Sequence, residues 1–207
     1  MIEFLKKYNM HIFIVLIAIL TVYDFLNWGH ISLVRKLVNL FAILAILHEI
    51  EEKYWPGGFV DLMVKKLEID INDVDVGRAN LAVFIFWLVY LGLGYIFDNF
   101  VFFFMMTIVL SIFEAFIHTA GIKIHKLDKP YTPGLVTAWI LAIAAIYSVI
   151  QLNKFNLISP MDYLIGTILF IISFMILSSQ VYGGMGISRK NIIKKMHSCS
   201  CPRAPIL

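Results

Sequence analysis

The chain has 207 residues, of which 60% are hydrophobic and only 15% are charged, and its mean hydropathy is +0.85. Soluble domains carry roughly 25% charged residues, so this composition excludes an ordinary soluble domain and predicts an integral membrane protein. The net charge of +3 favours contact with a cytoplasmic membrane surface over nucleic-acid binding.

Six apolar runs approach the ~20 residues that a helix needs to cross a bilayer. They cover residues 10–28, 32–49, 80–97, 100–120, 134–152 and 161–181. We therefore expect an all-α fold, a polytopic bundle of about six transmembrane helices in the cell membrane. One domain would cover residues 1–188, and a basic cytoplasmic tail would cover 189–207. Cys199 and Cys201 in that tail are too close in sequence to favour a structural disulfide.

The first apolar run follows Lys6 and Lys7, and no small-residue cleavage site comes after it. We expect it to be retained as the first helix. If the N-terminus is cytoplasmic, the lysines and arginines lie on the cytoplasmic side, except for Arg35, Lys36 and Lys154. Both termini are then predicted to lie inside the cell.

The connections contain one long polar insertion, residues 59–80, which follows the helix-ending sequence PGG at 56–58. Its first part, FVDLMVKKL, has apolar residues at helical spacing and predicts an amphipathic helix along the cytoplasmic interface. This pattern favours a connector over a substrate gate. The fourth run is expected to break near Gly121. Asp24 and Asn39 are single polar residues for which a hydrogen bond between helices is a sufficient explanation.

Ionisable residues end the second run, in the sequence HEIEE at 48–52. On a helix that turns about 100° per residue, Glu52 projects within about 40° of His48, and Glu51 falls about 60° to the other side. These three residues share a face, whereas Glu49 points elsewhere. A histidine and a carboxylate one turn apart can chelate a transition metal or work as an acid/base pair. Taken alone, the same residues also fit a solvated helix end.

A polar stripe lies within the fourth run, in TIVLSIFEAFIH at 107–118. Thr107, Ser111, Glu114 and His118 are separated by four, three and four residues, so they lie on one face of a helix. That face must contact protein or water, not lipid. Ionisable residues in membrane helices are costly unless they are paired, which makes Glu114 and His118 candidates for a functional site or a structural hydrogen-bonded pair.

The second and fourth helices both run towards the cytoplasm, so their polar ends are predicted to reach the same depth. The sequence therefore predicts a site of two histidines and three carboxylates at the cytoplasmic interface: His48, Glu51, Glu52, Glu114 and His118. Asn80 and Tyr131, near the beginnings of the third and fifth helices, reach that level too. Together with Ser111 they are the predicted substrate-binding residues.

The segment HEIEEKYWPGGF and the later YTPGLVTA resemble the HXXEE-domain family of small bacterial membrane proteins, over residues 40–140. The family pattern is matched by His48, Glu51 and Glu52, and the resemblance supports these residues without implying a reaction. More distantly, the chain is similar to the CAAX-protease and bacteriocin-processing membrane endopeptidases, in which paired glutamates and histidines activate water. Those enzymes have an arginine four residues after the second glutamate, where this chain has Pro56.

The first hypothesis for the function is a membrane-embedded, metal-dependent hydrolase that acts on a membrane peptide or a lipid. A divalent metal, with zinc as the first choice, would be held by His48, Glu52, Glu114 and His118. Glu51 would be the general base, so the predicted catalytic residues are Glu51, Glu52 and His118. Paired glutamates could also activate water without a metal.

Two other classes use the same residues. A di-iron or di-manganese centre would make the protein a lipid-modifying oxidoreductase, which carboxylate-rich ligation favours and the missing second Glu-x-x-His pattern disfavours. An ion- or proton-coupled transporter would need a path from the cluster to the outer face, such as one past Asp98. The lipid bilayer is a predicted partner in all three.

Overall fold

A computed structural model describes residues 1–67 and 74–184. Within these ranges the chain forms seven helices and no strand, which confirms the predicted all-α fold. The helices are α1 (Ile2–Leu26), α2 (Leu33–Lys53), α3 (Phe59–Leu67), α4 (Val76–Ile96), α5 (Val101–Ile124), α6 (Leu135–Lys154) and α7 (Pro160–Gly184). The predicted tail 189–207, with Cys199 and Cys201, lies outside the described residues.

Five of these helices, α1, α4, α5, α6 and α7, are long and apolar enough to cross a membrane. The second predicted span, α2, is not among them, because Arg35 and Lys36 lie near its beginning and three glutamates lie near its end. Its position in the bundle explains how these charges are tolerated. Helix α2 packs against α1, α4, α5 and α6, so protein surrounds most of its surface.

The amphipathic helix predicted at the start of the 59–80 insertion is present as α3, which contacts α2. The expected break near Gly121 is wrong, because α5 continues to Ile124. Gly121 has a packing role instead. A Cβ atom there would lie 3.3 Å from Cγ2 of Thr132, so glycine lets the loop after α5 lie close against the helix.

Contacts between helix ends show which termini share an end of the bundle. Lys6 Nζ lies 2.8 Å from Asp75 Oδ2, and the Asp75 amide donates to the Gly184 carbonyl at 2.9 Å. These contacts place the beginnings of α1 and α4 and the end of α7 together. Ser32 Oγ donates to Asp98 at the opposite end. The ends of α2 and α5 and the beginning of α6 therefore lie on the side of Lys6 and Asp75. This agrees with the prediction that the polar ends of these two helices reach the same depth.

A buried polar network joins α1, α2 and α4 towards the opposite end. Asp24 is fully buried and accepts hydrogen bonds from Asn39 Nδ2 and from Tyr95 OH, the latter at 2.8 Å. Arg35 lies 3.4 Å from the same carboxylate. The expected hydrogen bond between helices at Asp24 and Asn39 is confirmed, and Tyr95 and Arg35 are further partners.

Candidate functional site

Four ionisable side chains from α2 and α5 meet at one point, with one candidate ligand atom from each within 4.8 Å of the others: His48, Glu52, Glu114 and His118. Glu52 Oε1 lies 3.0 Å from His118 Nε2 and 3.6 Å from His48 Nε2. Glu114 Oε2 lies 3.6 Å from His118 Nε2 and 3.9 Å from His48 Nε2. The predicted convergence of HEIEE with FEAFIH is confirmed.

The two histidines are the buried part of this cluster. His48 is 2% exposed and His118 is 1% exposed, whereas the side chains of Glu52 and Glu114 are 12% and 22% exposed. Nε2 of His118 is buried and lies 3.0 Å from Glu52 Oε1, and no hydrogen bond to it is found within the described residues. A buried, unpaired imidazole nitrogen directed at two carboxylates fits a metal ligand.

The other ring nitrogen of each histidine contacts a threonine hydroxyl. His48 Nδ1 lies 3.0 Å from Thr137 Oγ1, and His118 Nδ1 lies 3.3 Å from Thr132 Oγ1. Histidines that bind metals commonly use one nitrogen for the metal and bond the other to such a partner. Both imidazoles therefore have the two-sided environment of metal ligands.

The cluster offers a defined set of candidate donor atoms for a metal ion. The expected five-residue cluster included Glu51, but the structure gathers two histidines and two carboxylates. Four nitrogen and oxygen donors suit one divalent transition metal such as zinc. A pair of irons or manganeses would need more carboxylate ligands.

Glu51 points to a different helix. Its Oε1 accepts hydrogen bonds from Tyr131 OH at 2.9 Å and from the Val136 amide at 3.2 Å. Its Oε2 accepts from the Thr137 amide at 2.8 Å and from Thr137 Oγ1 at 2.5 Å. The carboxylate thus caps the beginning of α6, where backbone amides lack partners within their own helix. Its predicted role as the general base stays untested.

Tyr131, one of the predicted substrate-binding residues, serves this cap. Burial and then the Glu51 carboxylate raise the pKa of Tyr131 to about 12. The phenol is therefore neutral and donates its proton to Glu51. This contact accounts for the tyrosine of YTPG without a substrate.

Gly134 lets the beginning of α6 approach the cluster. Its φ of +92° is unfavourable for residues with a Cβ atom. A Cβ atom there would lie 2.6 Å from Cε1 of His118 and 2.8 Å from Cγ of Glu52. Glycine is therefore required both by the backbone conformation and by the space beside the site.

Glu49 does not join the cluster, in agreement with the helical-face argument, although it is buried. Trp87 Nε1 donates to its Oε1 at 2.8 Å, and the Lys53 ammonium forms an ion pair with its Oε2. Both carboxylate oxygens are satisfied by these partners. This neutralised pair is the reason that a third glutamate can be buried beside the site.

A cavity of about 340 Å³ opens beside the cluster, and His48, Glu52 and Glu114 form part of its wall. The rest of the wall is mainly apolar and comes from α3, α4, α5 and α7. It includes Met63, Val83, Phe86, Leu110, Phe113, Ile117, Phe174, Leu177 and Val181. Its volume lies within the range of small-molecule sites. Glu49 of α2 and Ser178 and Tyr182 of α7 also line the cavity.

The predicted substrate-binding residues do not line this cavity. Ser111 is fully buried, and its hydroxyl donates to the Thr107 carbonyl of its own helix. Asn80 lies in the first turns of α4, and Tyr131 contacts Glu51. Thr132, Gly134 and Thr137, which lie beside the cluster, were not among the site residues predicted from the sequence. The signal for them was YTPGLVT, in which two threonines flank the beginning of a helix.

The model of one protein family, described as a protein of unknown function with HXXEE motif, matches residues 39–149. The matched region contains the four-residue cluster, Glu51 and the YTPG turn. No curated protein and no solved structure matches the chain. Because the match covers more than half of the sequence, the chain belongs to the HXXEE family, and the His48, Glu51 and Glu52 of its motif lie at the cluster described above.

Proposed function

We propose that this protein is a membrane-embedded, metal-dependent hydrolase whose substrate is amphiphilic, a lipid or a membrane peptide. The observation that carries the proposal is that three residues of the His/Glu cluster, His48, Glu52 and Glu114, line a mainly apolar cavity. A substrate with an apolar chain in the cavity would present its polar, hydrolysable bond to the cluster. The apolar wall would bind the chain of the substrate, and the His/Glu cluster would act on its polar bond.

The residues divide into ligands and a base according to their distances and exposure. Catalytic zinc sites use three protein ligands and keep one position open. His48, His118 and Glu52 are the best set of three, because Glu52 Oε1 is the carboxylate oxygen nearest to both imidazoles. The bound metal would supply Lewis-acid activation of water.

Glu114 is then the proposed general base. Its Oε2 lies farther from both histidines than Glu52 Oε1 does, and its side chain is the more exposed of the two. It also lines the cavity from which water and substrate would arrive. Glu51 is less suited to accept a proton from water, because both of its oxygens already accept hydrogen bonds at α6.

The cavity wall favours a lipid over a peptide. Phenylalanine, leucine, isoleucine and valine side chains from four helices surround the space, and a wall of this kind fits an acyl chain. A peptide backbone would need hydrogen-bond partners along its length. An ester or amide group would lie at the cluster residues of the wall, His48, Glu52 and Glu114.

The metal is tested by elemental analysis of purified protein after dialysis against zinc. Wild-type protein is expected to retain close to one zinc per chain, and His48→Ala and His118→Ala are expected to retain little. His30→Ala, at an exposed turn, is the matched control and should retain zinc as the wild type does. Equal zinc content in all four proteins would overturn the metal site, and two irons per chain would favour the oxidoreductase instead.

The reaction is tested with zinc-loaded protein in vesicles of phosphatidylethanolamine and phosphatidylglycerol. Mass spectrometry is expected to detect released fatty acid and lysolipid with the wild type. Glu114→Gln should retain zinc and lose this turnover, because it removes the base and keeps the ligands. Equal turnover in wild type and Glu114→Gln, or none in the wild type, would overturn lipid hydrolysis by this mechanism.

A further inference from the structure

We infer that Glu51 is a positioning residue that acts through Thr137 on His48, and that Thr132 plays the equivalent part for His118. In both cases the threonine hydroxyl holds the imidazole in the Nδ1–H tautomer and leaves Nε2 as the free nitrogen that faces the cluster. The inference deepens the proposed function and rests on it for the metal that Nε2 would bind.

Hydrogen-bond donors and acceptors determine the tautomer of His48. The Thr137 hydroxyl has one proton, and its oxygen contacts Glu51 Oε2 at 2.5 Å, the Gly134 carbonyl at 3.3 Å and His48 Nδ1 at 3.0 Å. The ionised carboxylate and the carbonyl can only accept, so the hydroxyl proton goes to one of them. The contact with His48 then needs a proton from the ring, which places that proton on Nδ1.

The same count applies to His118, with different partners. Thr132 Oγ1 donates to the His118 backbone carbonyl at 3.0 Å, so its single proton is used. The 3.3 Å contact with His118 Nδ1 must therefore be donated by the ring. In the neutral ring this leaves Nε2 without a proton and able to bind a metal, and no hydrogen bond to Nε2 is found within the described residues.

Glu51 accepts the hydrogen bond from the Thr137 hydroxyl as one of several that are directed at its carboxylate. Four donors surround its two oxygens: the Tyr131 hydroxyl, the amides of Val136 and Thr137, and the Thr137 hydroxyl. The two amides belong to the first turn of α6, where the helix dipole also favours a negative charge. A protonated carboxyl group would lose acceptor capacity that these donors use.

This arrangement gives each residue of the H-x-x-E-E pattern a separate task. His48 and Glu52 face the cluster, and Glu51 turns to α6 and orders Thr137 behind His48. The two adjacent glutamates project about 100° apart around α2, which lets them reach two different helices. The motif thus supplies two residues of the cluster, His48 and Glu52, and a third residue, Glu51, that positions His48 through Thr137.

The test is nitrogen NMR of protein labelled with ¹⁵N-histidine, recorded without metal and at rising pH until the spectra show neutral rings. His48→Ala and His118→Ala spectra assign the signals. The wild type is expected to show both rings as the Nδ1–H tautomer. Thr137→Val should move His48 towards the Nε2–H form and leave His118 unchanged, and Thr132→Val should do the converse. Thr137→Ser should restore the wild-type spectrum.

Glu51→Ala should change His48 alone, because the freed Thr137 proton can then be donated to Nδ1. Glu49→Gln is the matched control on the same helix and should leave both rings unchanged. Zinc affinity should fall about 10- to 100-fold in Thr137→Val and in Glu51→Ala, the usual cost of losing an outer-shell partner.

The result that would overturn the inference is an Nε2–H tautomer at His48 or His118 in the wild type, or an unaltered His48 spectrum in Thr137→Val. A wild-type protein with the expected tautomers and no affinity for zinc would instead overturn the proposed function. The spectra do not depend on bound metal, so the two failures are distinguishable.

Discussion

Oε1 of Glu52 lies between two imidazole nitrogens from different helices, 3.0 Å from Nε2 of His118 on α5 and 3.6 Å from Nε2 of His48 on α2. This contact joins the two polar helix ends into one site. The carboxylate of Glu52 also lines the cavity, so the oxygen that links the histidines lies beside the space proposed for substrate.

Replacing Glu52 by glutamine tests this link. The amide keeps the size of the side chain and removes the negative charge that compensates a bound cation. Because loss of an outer-shell partner already costs about 10- to 100-fold in affinity, loss of this ligand should lower zinc affinity by about 100-fold or more. Competition against a fluorescent zinc chelator measures the change. Glu49→Gln is the control, and equal affinity in the two variants would contradict the assignment of Glu52 as a ligand.

Gly134→Ala is expected to damage both stability and metal binding. The positive φ at this position costs an alanine about 1–2 kcal/mol, and the new Cβ would lie too close to His118 and Glu52. Thermal unfolding in detergent should show a lower midpoint than the wild type, and zinc affinity should fall. Gly92→Ala is the control, because a Cβ atom at Gly92 has open space within α4 and alanine is the better helix former. A normal midpoint and normal zinc affinity for Gly134→Ala would contradict the described packing.

Leu177→Trp is expected to fill part of the cavity and to obstruct an acyl chain. Turnover of phosphatidylglycerol vesicles should fall roughly tenfold or more, because even one methylene group too many in an apolar pocket changes the rate by about tenfold or more. Zinc content should stay unchanged, since Leu177 lies on α7, which contributes none of the four cluster residues. Ile176→Trp, on the exposed face of the same helix, is the control. Equal turnover in the two variants would mean that the chain does not occupy this cavity.

Asp24→Asn should lower stability and leave the metal site intact. Asn39, Tyr95 and Arg35 all direct donors at the Asp24 carboxylate, and an amide offers one oxygen where the carboxylate offers two. A buried donor left without a partner costs about 1–3 kcal/mol, which should lower the unfolding midpoint. Asp61→Asn, on the exposed side of α3, should have little effect. Loss of zinc from Asp24→Asn at a temperature where it stays folded would contradict the separation of the two polar clusters.

Several features followed from helical periodicity alone. The apolar runs predicted the long helices, and the spacing of His48 with Glu52 and of Glu114 with His118 predicted two polar faces. Alternating helix directions then predicted that those faces meet. Each step depends on intervals of three or four residues, or on the order of the helices, and both can be read from a single sequence.

Packing decided what periodicity left open. Glu51 and Glu52 lie on opposite sides of the His48 direction, and by helical spacing both are compatible with a site at the end of α2. In the folded protein Glu52 contacts His118 of α5, whereas Glu51 contacts the beginning of α6. The same applies to α2 itself, whose charged ends became acceptable because other helices surround it.

The sequence by itself determined the helices and the residue types at the end of α2 and along α5, because these depend on local spacing and hydropathy. Only the tertiary structure decided that Glu51 supports the site from outside while Glu52 and Glu114 face it. It also decided that Thr132, Gly134 and Thr137 complete the surroundings of the two histidines. These roles depend on how the beginning of α6 packs against α2 and α5, and contacts between residues more than 80 positions apart in the chain leave no periodic signal.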